Sequence, residues 1–328
     1  MSSKDSKKIL VKSEEESNPE YGRIPEERPI EEYIRKGIAN IDKPSGPTSH
    51  QVSAWVKDIF GFKRSGHSGT LDPKVTGVLP VALEDSTRVL QALLLSSKEY
   101  VCLMKLHSDV NSSELKKMLS YFQGELYQKP PLKSSVKREL RKRTVYSIKL
   151  LEREEVNVLF SVECEAGTYI RKLCHDIGLM LGVGAHMQEL RRTKAGPFTE
   201  DTIVTLHDLR DAYQYYVEDG SEDKLRQVVQ PMEAGVRHLK RIWVKDSAVD
   251  AVCHGASLNS PGVSKLEEDI SPGEVVALMT LKQELIALAK AKKTSLDIME
   301  SPKGEVAAPG TVVMKTDIYP RQWHSKNI

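Results

Sequence analysis

One loop followed by an apolar run constrains this chain more than any other feature. It reads GHSGTLDPKVTGVLPVAL, from Gly66 to Leu83. Its glycines allow a positive φ and a close approach of the backbone to a ligand, and Pro73 prevents a helix from forming there. Asp72 is the only acid in the stretch. A lone carboxylate on a loop restrained by glycine and proline is a candidate catalytic group. An Asp-Pro dipeptide taken alone, however, more often only starts a turn.

The composition excludes few classes of protein. A length of 328 residues predicts two domains, and 39% hydrophobic with 29% charged residues is typical of a globular protein with a real core. The chain has 48 Lys and Arg and 46 Asp and Glu, so its net charge does not indicate whether it binds nucleic acid. Only local clusters of basic residues can indicate such binding. No signal-peptide pattern and no apolar run of membrane length occurs, so we expect no membrane contact.

The four cysteines are too far apart in sequence to form a CxxC pair. They are Cys102, Cys164, Cys174 and Cys253. We therefore expect buried thiols in a reducing compartment rather than a zinc site.

The first half of the chain alternates strands and helices. GIANIDKPSGPTSH predicts a strand over Ile38–Asp42, a Pro/Gly turn, and a helix capped by Thr48 or Ser49 and ended by Gly61. A helix over residues 84–95, a strand over 98–107 with Tyr100 near its start, and an amphipathic helix over 112–122 follow. Residues 146–151 and 156–165 then alternate like paired strands.

A basic segment precedes those paired strands. Seven cations fall within residues 129–143, opposed only by Glu139. A charge run is usually a solvated surface, but a cluster this dense favours phosphate contacts if an RNA site lies nearby. The cations used below are Lys137, Arg138, Arg141, Lys142 and Arg143.

A second chemical cluster reads AGTYIRKLCHDIG, from Ala166 to Gly178. It predicts a helix with Arg171 in its first turn, where a cation opposes the helix dipole. A carboxylate partner compensates such a placement, so we pair Arg171 with Asp72. The pair would hold the acid ionised in an apolar pocket; the alternative is a surface arginine.

The C-terminal part has a different pattern. Residues 206 to about 236 are helical and polar, and a short helix capped by Asp246 or Ser247 follows Arg241. The segments PGVSKL, GEVVALMTL, ELIALAKAK and VVMKTDI then predict strands of a small β-barrel, the middle two as a hairpin. Residues 1 to about 35 cannot bury a core by themselves, although Ile9–Val11 favours a short strand that docks elsewhere.

These motifs together resemble those of the TruB/dyskerin family of RNA pseudouridine synthases. Four of them occur in the family's order: KPSGPTS, the Asp72 loop, GTYIR and the HMQELRRTKAGPF stretch, with the K-x-Y element of Tyr100 between them. The C-terminal part resembles a PUA domain. The resemblance implies an α+β class, a pseudouridine synthase fold with a mixed or antiparallel sheet flanked by helices, plus a small PUA β-barrel. We expect an N-terminal extension over 1–36 packing on the PUA domain, a catalytic domain over 37–240 and the PUA domain over 241–328.

The resemblance also implies a role for each matching residue. Asp72 would be the indispensable acid, with Tyr100 and Arg171 as further catalytic residues. Tyr100 would stack on the target base, and Lys43 would support the catalytic loop from its turn. Substrate-binding residues would be Lys43, His67, Tyr169 and Leu190. RNA-binding residues would be Lys137, Arg138, Arg141, Lys142, Arg143, Arg191 and Arg192.

The chemistry implied is the isomerisation of uridine in RNA. The base would be extruded into a pocket and would pivot from N1 to C5 attachment. Asp72 would act as nucleophile at ribose C1′ or as base on a ribose proton, and the sequence leaves both open. Tyr100 is a candidate for removing the C5 proton, although a phenol with a pKa near about 10 is a weak base without help. We expect no cofactor or metal, in agreement with the lack of nucleotide and metal-ligand motifs.

The archaeal and eukaryotic branch, the synthase of box H/ACA ribonucleoprotein, gives the closest resemblance. The stretch between Lys105 and Tyr146 is shorter than in stand-alone bacterial tRNA enzymes. The chain would therefore rely on a box H/ACA guide RNA and other protein subunits to present rRNA, or tRNA, as substrate. The lack of long Lys-rich tails favours an archaeal, cytoplasmic protein. A guide-independent tRNA enzyme, an inactive RNA-binding scaffold and a hydrolase releasing uracil are the alternatives.

Overall fold

The computed structural model describes residues 8–130 and 137–321, which fall into two compact units. One unit contains residues up to 38, residues 82–92 and residues from 229 onward; the other contains residues 39–81 and 93–228. We call them the C-terminal unit and the cleft unit. The limits of these units differ from the predicted domain limits, because residues 82–92 and 229–240 belong to the C-terminal unit. The domain limits 1–36, 37–240 and 241–328 stay a prediction. Lys133 of the basic segment lies outside the described residues.

The strands and helices account for most of the described chain. The strands are β1 Ile9–Val11, β2 Gly37–Lys43, β3 Ser65–His67, β4 Thr76–Leu83, β5 Lys98–Leu106, β6 Gly124–Gln128, β7 Arg141–Glu154, β8 Asn157–Cys164, β9 Ala185–Ala195, β10 Phe198–Thr199, β11 Val229–Pro231, β12 Lys240–Val244, β13 Leu258–Asn259, β14 Val263–Glu267, β15 Val275–Thr280, β16 Leu285–Ala291 and β17 Glu305–Val312. The α-helices are α1 Ile30–Arg35, α2 Ser49–Ile59, α3 Leu90–Leu95, α4 Ser112–Tyr121, α5 Ile170–Met180, α6 Leu206–Asp219, α7 Asp223–Val228, α8 Asp246–Cys253 and α9 Ser295–Glu300. In the part of the chain that is described, no helix combines the length and the apolar character needed to cross a membrane.

The cleft unit is built on a mixed sheet. Its strands follow the order β2-β4-β9-β5-β8-β7-β6, with β10 on β9 and β3 on β4. The β4–β9 pair is parallel, whereas β9, β5, β8, β7 and β6 pair antiparallel in succession. Alternate residues of β5 and β8 are buried, and α4 and α5 pack with them into one apolar core. The predicted strands over 98–107, 146–151 and 156–165 are confirmed.

Helix α2 follows from its local sequence. The Thr48 hydroxyl accepts from the Gln51 N–H while the Gln51 side chain accepts from the Thr48 N–H, which is a capping box. Gly61, just past the end, has a φ of +63°, a conformation that glycine adopts at little cost. Of the two predicted caps, Thr48 is therefore the right one, and the predicted strand over Ile38–Asp42 is confirmed as β2.

The C-terminal unit is built on a seven-stranded sheet in the order β1-β14-β12-β15-β16-β17-β13. The predicted hairpin is confirmed as β15 and β16, with Val276 opposite Ala289. The short N-terminal strand is confirmed too, because β1 pairs antiparallel with β14 and places Leu10 opposite Leu266. Its apolar core is separate from that of the cleft unit.

Three predicted elements differ from the structure. VVMKTDI is not a strand: the last strand is β17, which ends at Val312, and the N–H groups of Val313 and Met314 then donate to the Ile286 carbonyl. The predicted helix over 84–95 is a 3-10 helix, Glu84–Val89, before α3. Residues 229–236 form β11 and a 3-10 helix, Met232–Val236, rather than continuing the helices α6 and α7. Further 3-10 helices in the described ranges span Pro25–Glu27, Glu200–Thr202 and Ser260–Gly262.

Two cations of the N-terminal segment, Lys12 and Arg28, bond to later residues of the C-terminal unit. The Lys12 ammonium donates to the carbonyls of Ile298, Met299 and Ser301 at the end of α9, where unpaired carbonyls favour a cation. The Arg28 guanidinium, 1% exposed, donates to both carboxylate oxygens of Glu233 at 3.0 and 2.7 Å.

The Arg28 site holds a second carboxylate. Glu284 lies 4.0 Å from the Arg28 guanidinium, and burial raises the pKa of Glu284 while the nearby Arg28 opposes that shift. Tyr319 donates its hydroxyl to Glu284 at 3.2 Å. Two buried carboxylates thus depend on one guanidinium from the N-terminal segment.

We expect Arg28→Met to lower the free energy of unfolding by about 3–5 kcal/mol, because it leaves buried carboxylates without their cation. Urea unfolding at neutral pH measures this. Lys8→Met is the matched control: Lys8 is a mostly exposed partner of Glu268 at 3.9 Å in the same segment, and such a pair contributes about 0–1 kcal/mol. Equal effects of the two substitutions would contradict the structural role of Arg28.

Candidate active site

Asp72 and Arg171 face each other in an open cleft of the cleft unit. The cleft has a volume of about 1010 Å³. Strands β5, β8 and β9 supply most of its apolar lining, and Pro73 and Val75 of the Asp72 loop supply the rest. The strand residues are Val101, Leu103, Leu159, Met187 and Leu190. Arg171 Nη2 donates to Asp72 Oδ2, so the predicted pairing is confirmed. The expected enclosure is wrong, because the Arg171 and Asp72 side chains are 57% and 54% exposed.

Helix α5 and strand β6 place Arg171. Arg171 is the second residue of α5, and Tyr169 stands at the position before the helix. The Gln128 side-chain amide bonds the Tyr169 backbone in both directions, with the Tyr169 N–H donating at 2.8 Å and Gln128 Nε2 donating to the Tyr169 carbonyl at 3.1 Å. The end of β6 therefore fixes the first turn of the helix that carries the cation.

Residues of the KPSGPTS motif make hydrogen bonds to the backbone of the Asp72 loop. Lys43 Nζ donates to the carbonyls of Pro73 at 2.9 Å and Val75 at 2.8 Å. The Gly46 N–H donates to the Pro73 carbonyl at 2.9 Å, and the Ser49 hydroxyl accepts from the Leu71 N–H at 2.8 Å. Backbone groups on both sides of Asp72 are thus bonded, while its carboxylate faces the cleft.

Lys43 bonds the Asp72 loop as expected, but it does not fit the predicted contact with substrate. Its side chain is fully buried, and a third carbonyl, that of Pro44, accepts from Nζ at 2.9 Å. Burial lowers the pKa of Lys43, and the Asp72 charge opposes that shift. Lys43 is a loop support because all three ammonium donors are used by the protein.

The two adjacent arginines of β9 point to opposite faces of the sheet, as successive strand residues do. Arg191 lines the cleft and pairs with Asp42 at 3.0 Å and Glu200 at 2.6 Å. Arg192 is 1% exposed and donates to the carbonyls of Val78 at 2.7 Å and Gly69 at 3.2 Å. The expected phosphate contact is therefore wrong for Arg192; for Arg191 it stays a prediction, with two carboxylates already bound.

Tyr100 lies beneath the cleft rather than in its wall. Its side chain is 9% exposed and belongs to the core that includes Leu71 and Val75. Burial raises the pKa of Tyr100, while the charge of Arg192, its neighbour on β9, opposes that shift. A raised pKa leaves less of the phenol ionised at neutral pH, so the predicted base role requires Arg192 or the substrate to favour the phenolate.

His67 and Tyr169 do not line the cleft with Asp72. His67 is partly buried against His50, with ring centroids 4.7 Å apart. Burial lowers the pKa of His67 to about 4, with His50 and Arg192 adding to the shift, so the imidazole is neutral at physiological pH. Contacts of both residues with RNA stay predictions, whereas Leu190 lies in the cleft wall as expected.

The basic segment leads into the antiparallel pair β6–β7. Lys142 on β7 pairs with Glu125 at 2.6 Å, and Lys137 pairs with Glu139; all are exposed. Arg143 is turned inward and lies 3.3 Å from Glu165. Arg138 and Arg141 donate to the carbonyls of Pro130 and Lys137. Their contact with RNA stays a prediction.

Lys98 was not predicted as part of the site region, yet it is a buried cation two residues before Tyr100. Its Nζ donates to the carbonyls of Leu93 at 2.8 Å and Ser96 at 2.6 Å, and to the Ser96 hydroxyl at 3.1 Å. Burial lowers the pKa of Lys98 to about 7, and Arg192 adds to the shift. The signal in the sequence was its strand register, because Lys98, Tyr100 and Cys102 share the buried face of β5.

The four cysteines are buried and unpaired, as expected. Cys102 and Cys174 approach to 3.5 Å between their sulfur atoms.

Four family models match successive parts of the chain. The TruB family pseudouridylate synthase N-terminal domain matches residues 57–170, and the tRNA pseudouridylate synthase B C-terminal domain matches residues 171–237. The PUA domain matches residues 240–313, and the DKCLD domain matches residues 2–53.

Curated relatives match over nearly their whole length. The protein named "Probable tRNA pseudouridine synthase B" of Methanopyrus kandleri is 54% identical over 98% of this chain and 95% of that protein. Its namesake from Methanosarcina acetivorans is 56% identical over 97% of this chain and 94% of that protein.

Solved structures match equally well. A chain in the crystal structure of a Cbf5-Nop10-Gar1 complex is 55% identical, with a TM-score of 0.91 and coverage of 96% of both chains. A chain in the structure of an H/ACA RNP bound to a substrate RNA containing 2′-deoxyuridine is 53% identical, with a TM-score of 0.90 and coverage of 96% of this chain and 97% of that one.

We expect Lys43→Met to lower the single-turnover rate of RNA modification about tenfold or more while RNA affinity changes little. The Asp72 loop would lose its two ammonium contacts, and small displacements of a reacting group are costly. The measurements are rate at saturating RNA and affinity by filter binding. Lys57→Met, which changes a lysine beside Asp58 on α2, is the control; equal rates for the two variants would contradict the role of Lys43.

We expect the stability of the protein to depend on pH through Lys98. Because its pKa is lowered to about 7 from 10.5, the unfolded chain holds a proton that the folded protein lacks between those values. Relative to Lys98→Met, the wild-type free energy of unfolding should therefore rise by about 3 kcal/mol from about pH 7 to about pH 9.5. Urea unfolding at several pH values measures it.

The internal control is the range below about pH 6. There Lys98 is protonated in both the folded and the unfolded protein, so the difference in free energy of unfolding between wild type and Lys98→Met should be constant. A flat difference across the alkaline range as well would show that burial of Lys98 does not lower its proton affinity.

Proposed function

This chain belongs to the TruB/Cbf5 family of pseudouridine synthases, and from that premise we propose that it is the catalytic subunit of an H/ACA ribonucleoprotein. It is an RNA pseudouridine synthase, an isomerase, with a PUA domain. The proposal concerns how uridine reaches the cleft: a guide RNA and further protein subunits present it. The observation that carries the proposal is the likeness over 96% of both chains to a chain of the Cbf5-Nop10-Gar1 complex.

The open cleft fits this function. Uridine within folded RNA must leave its stack before its glycosidic bond is accessible, and a cleft of about 1010 Å³ has room for a nucleotide and its neighbours. Asp72 and Arg171 are half exposed, so RNA that covers the cleft would remove water from the pair. Coulomb attraction strengthens as water leaves, and the carboxylate would then be held in one orientation by Arg171.

Asp72 is the proposed catalytic residue. Its carboxylate attacks ribose C1′, as in retaining glycosidases, or removes a ribose proton; either step breaks the C1′–N1 bond and frees the uracil anion. The base then turns within the cleft and C5 bonds to C1′, as the Asp72–C1′ bond breaks in the first route or Asp72 returns the proton to the ribose in the second. The C5 proton then leaves, its bonding electrons restore the C5–C6 double bond, and N1 takes up a proton.

The other predicted site residues take supporting roles in this proposal. Arg171 orients Asp72, Leu190 packs against the base, and Tyr100 lies beneath it and accepts the C5 proton. Tyr169 and His67 contact the flanking RNA. Phosphate contacts come from Lys137, Arg138, Arg141, Lys142, Arg143 and Arg191. Lys43 is left out because its ammonium is buried.

The names of the relatives favour a second candidate. Because they are named as tRNA pseudouridine synthases, the chain would act on tRNA without a guide. The relatives come from archaea, and we place the protein in the cytoplasm of an archaeal cell by the same inference.

Reconstitution separates the two candidates. We expect purified protein to form pseudouridine in a target RNA only with a complementary box H/ACA guide RNA and the partner subunits. Rate is measured by release of tritium from 5-³H-uridine. Full activity on tRNA by the protein alone would overturn the guided function and support the second candidate.

In the same assay we expect Asp72→Asn to abolish product while the RNA still binds, because the amide is nearly isosteric but is neither nucleophile nor base. Asp58→Asn, at an exposed carboxylate of α2, is the matched control. Turnover near the wild-type rate in the Asp72 variant would remove Asp72 from its role.

A further inference from the structure

Arg192 is a buried cation whose partners are not carboxylates. Its guanidinium donates to the carbonyl of Val78 on β4 and to the carbonyl of Gly69, three residues before Asp72. Tyr100 on β5 is its cross-strand neighbour, and both side chains are buried. Arg191 beside it has two carboxylates instead. A buried guanidinium without a carboxylate is costly, so its placement calls for an explanation beyond packing.

The backbone of β9 is built around this position. Arg192 is in register with Gly77 on the parallel strand β4 and with Tyr100 on the antiparallel strand β5. Gly77 has a φ of +100°, and a Cβ at that position would lie 2.2 Å from the Arg192 carbonyl oxygen. Only glycine permits such an approach, so Arg192 is held between the strand that follows the Asp72 loop and the strand that carries Tyr100.

The hydrogen-bond chemistry has one direction. A guanidinium only donates, so in a hydrogen bond between these two neighbouring side chains the Tyr100 oxygen accepts from Arg192. The bond is stronger when the oxygen is charged, because charge-assisted hydrogen bonds exceed neutral ones. Burial of Tyr100 works against its ionisation, and Arg192 is the first group that works in its favour.

We propose that Arg192 is a positioning residue for Tyr100: its buried guanidinium fixes the phenolic oxygen and favours the form of Tyr100 that accepts the C5 proton. The proposal rests on the role of Tyr100 in the proposed function. In that step the C5–H bond breaks, its electrons enter the ring, and the phenolate oxygen takes the proton. Arg192 itself stays protonated and does not contact the substrate.

A double-mutant cycle in the reconstituted complex tests the proposal. The variants are Arg192→Gln, Tyr100→Phe and the double variant, each assayed for single-turnover product formation with saturating RNA. We expect each single variant to lose at least about tenfold in rate, and the double variant to lose little more than Tyr100→Phe alone, because both act through the same oxygen. Thermal melts and RNA affinity accompany each variant.

The pH profile gives a readout that a purely structural role would not move. With the guanidinium gone, the rate of Arg192→Gln should rise with pH over a more alkaline range than that of the wild type, since Tyr100 loses the cation that favours its ionisation. Tyr100→Phe should lack that alkaline rise. Arg226→Lys, at a guanidinium on α7 paired with Glu222, serves as the control for the loss of an arginine elsewhere.

The outcomes separate the proposal from its premise. Near wild-type rate in Tyr100→Phe would refute the proton-accepting role of Tyr100 while leaving the synthase function intact. A slow Tyr100→Phe whose effect multiplies with that of Arg192→Gln, with an unshifted alkaline limb, would overturn the role of Arg192. If Arg192→Gln melts below the assay temperature, Arg192→Lys carries the same cycle, because it keeps the charge and loses the planar fork.

Discussion

Backbone carbonyl groups that accept from buried cations support the whole site. Lys43, Lys98 and Arg192 are each at most 4% exposed, and their donors point mainly at carbonyl oxygens. Burying a cation costs free energy, which carbonyl dipoles and hydrogen bonds offset here. These bonds hold the backbone around the site in place, while Asp72 and Arg171 pair with each other and line the cleft. The C-terminal unit repeats the device where Lys12 meets the end of α9.

The Asp72–Arg171 ion pair is exposed to solvent, unlike the buried cations that bond the backbone around it. A half-exposed ion pair contributes little to stability, so the pair is free to serve chemistry. The apolar residues of β5, β8 and β9 line the same cleft. A nucleotide packed against them would exclude water and make the local dielectric low. Asp72 would then be poised by the substrate that it acts on, not by the empty protein.

Sequence reasoning succeeded where the cause was local or the motif specific. The Asp72–Arg171 pair, the Thr48 cap and the β15–β16 hairpin all follow from a few neighbouring residues. The prediction of residue roles from sequence failed where a role depended on which face of a strand is buried. Arg191 and Arg192 look alike in sequence, but strand alternation places one in the cleft and buries the other beside Tyr100. Lys98 was missed for the same reason. The β17 strand was misplaced because Pro309 and Gly310 read as turn signals, whereas the pairing with β16 contains a register shift there.

The pairing of β1 with β14 has a consequence for biosynthesis. Arg28 is 205 residues from Glu233, and Lys12 is 286 residues from the α9 carbonyl it bonds. During translation the N-terminal segment leaves the ribosome long before the strand that receives it exists. Contacts so distant in sequence form late, and an unpaired apolar strand edge is exposed to other chains until then. Lys8 and Lys12 flank Ile9–Val11, and charged side chains, lysine above all, disfavour the pairing of an exposed strand with another chain.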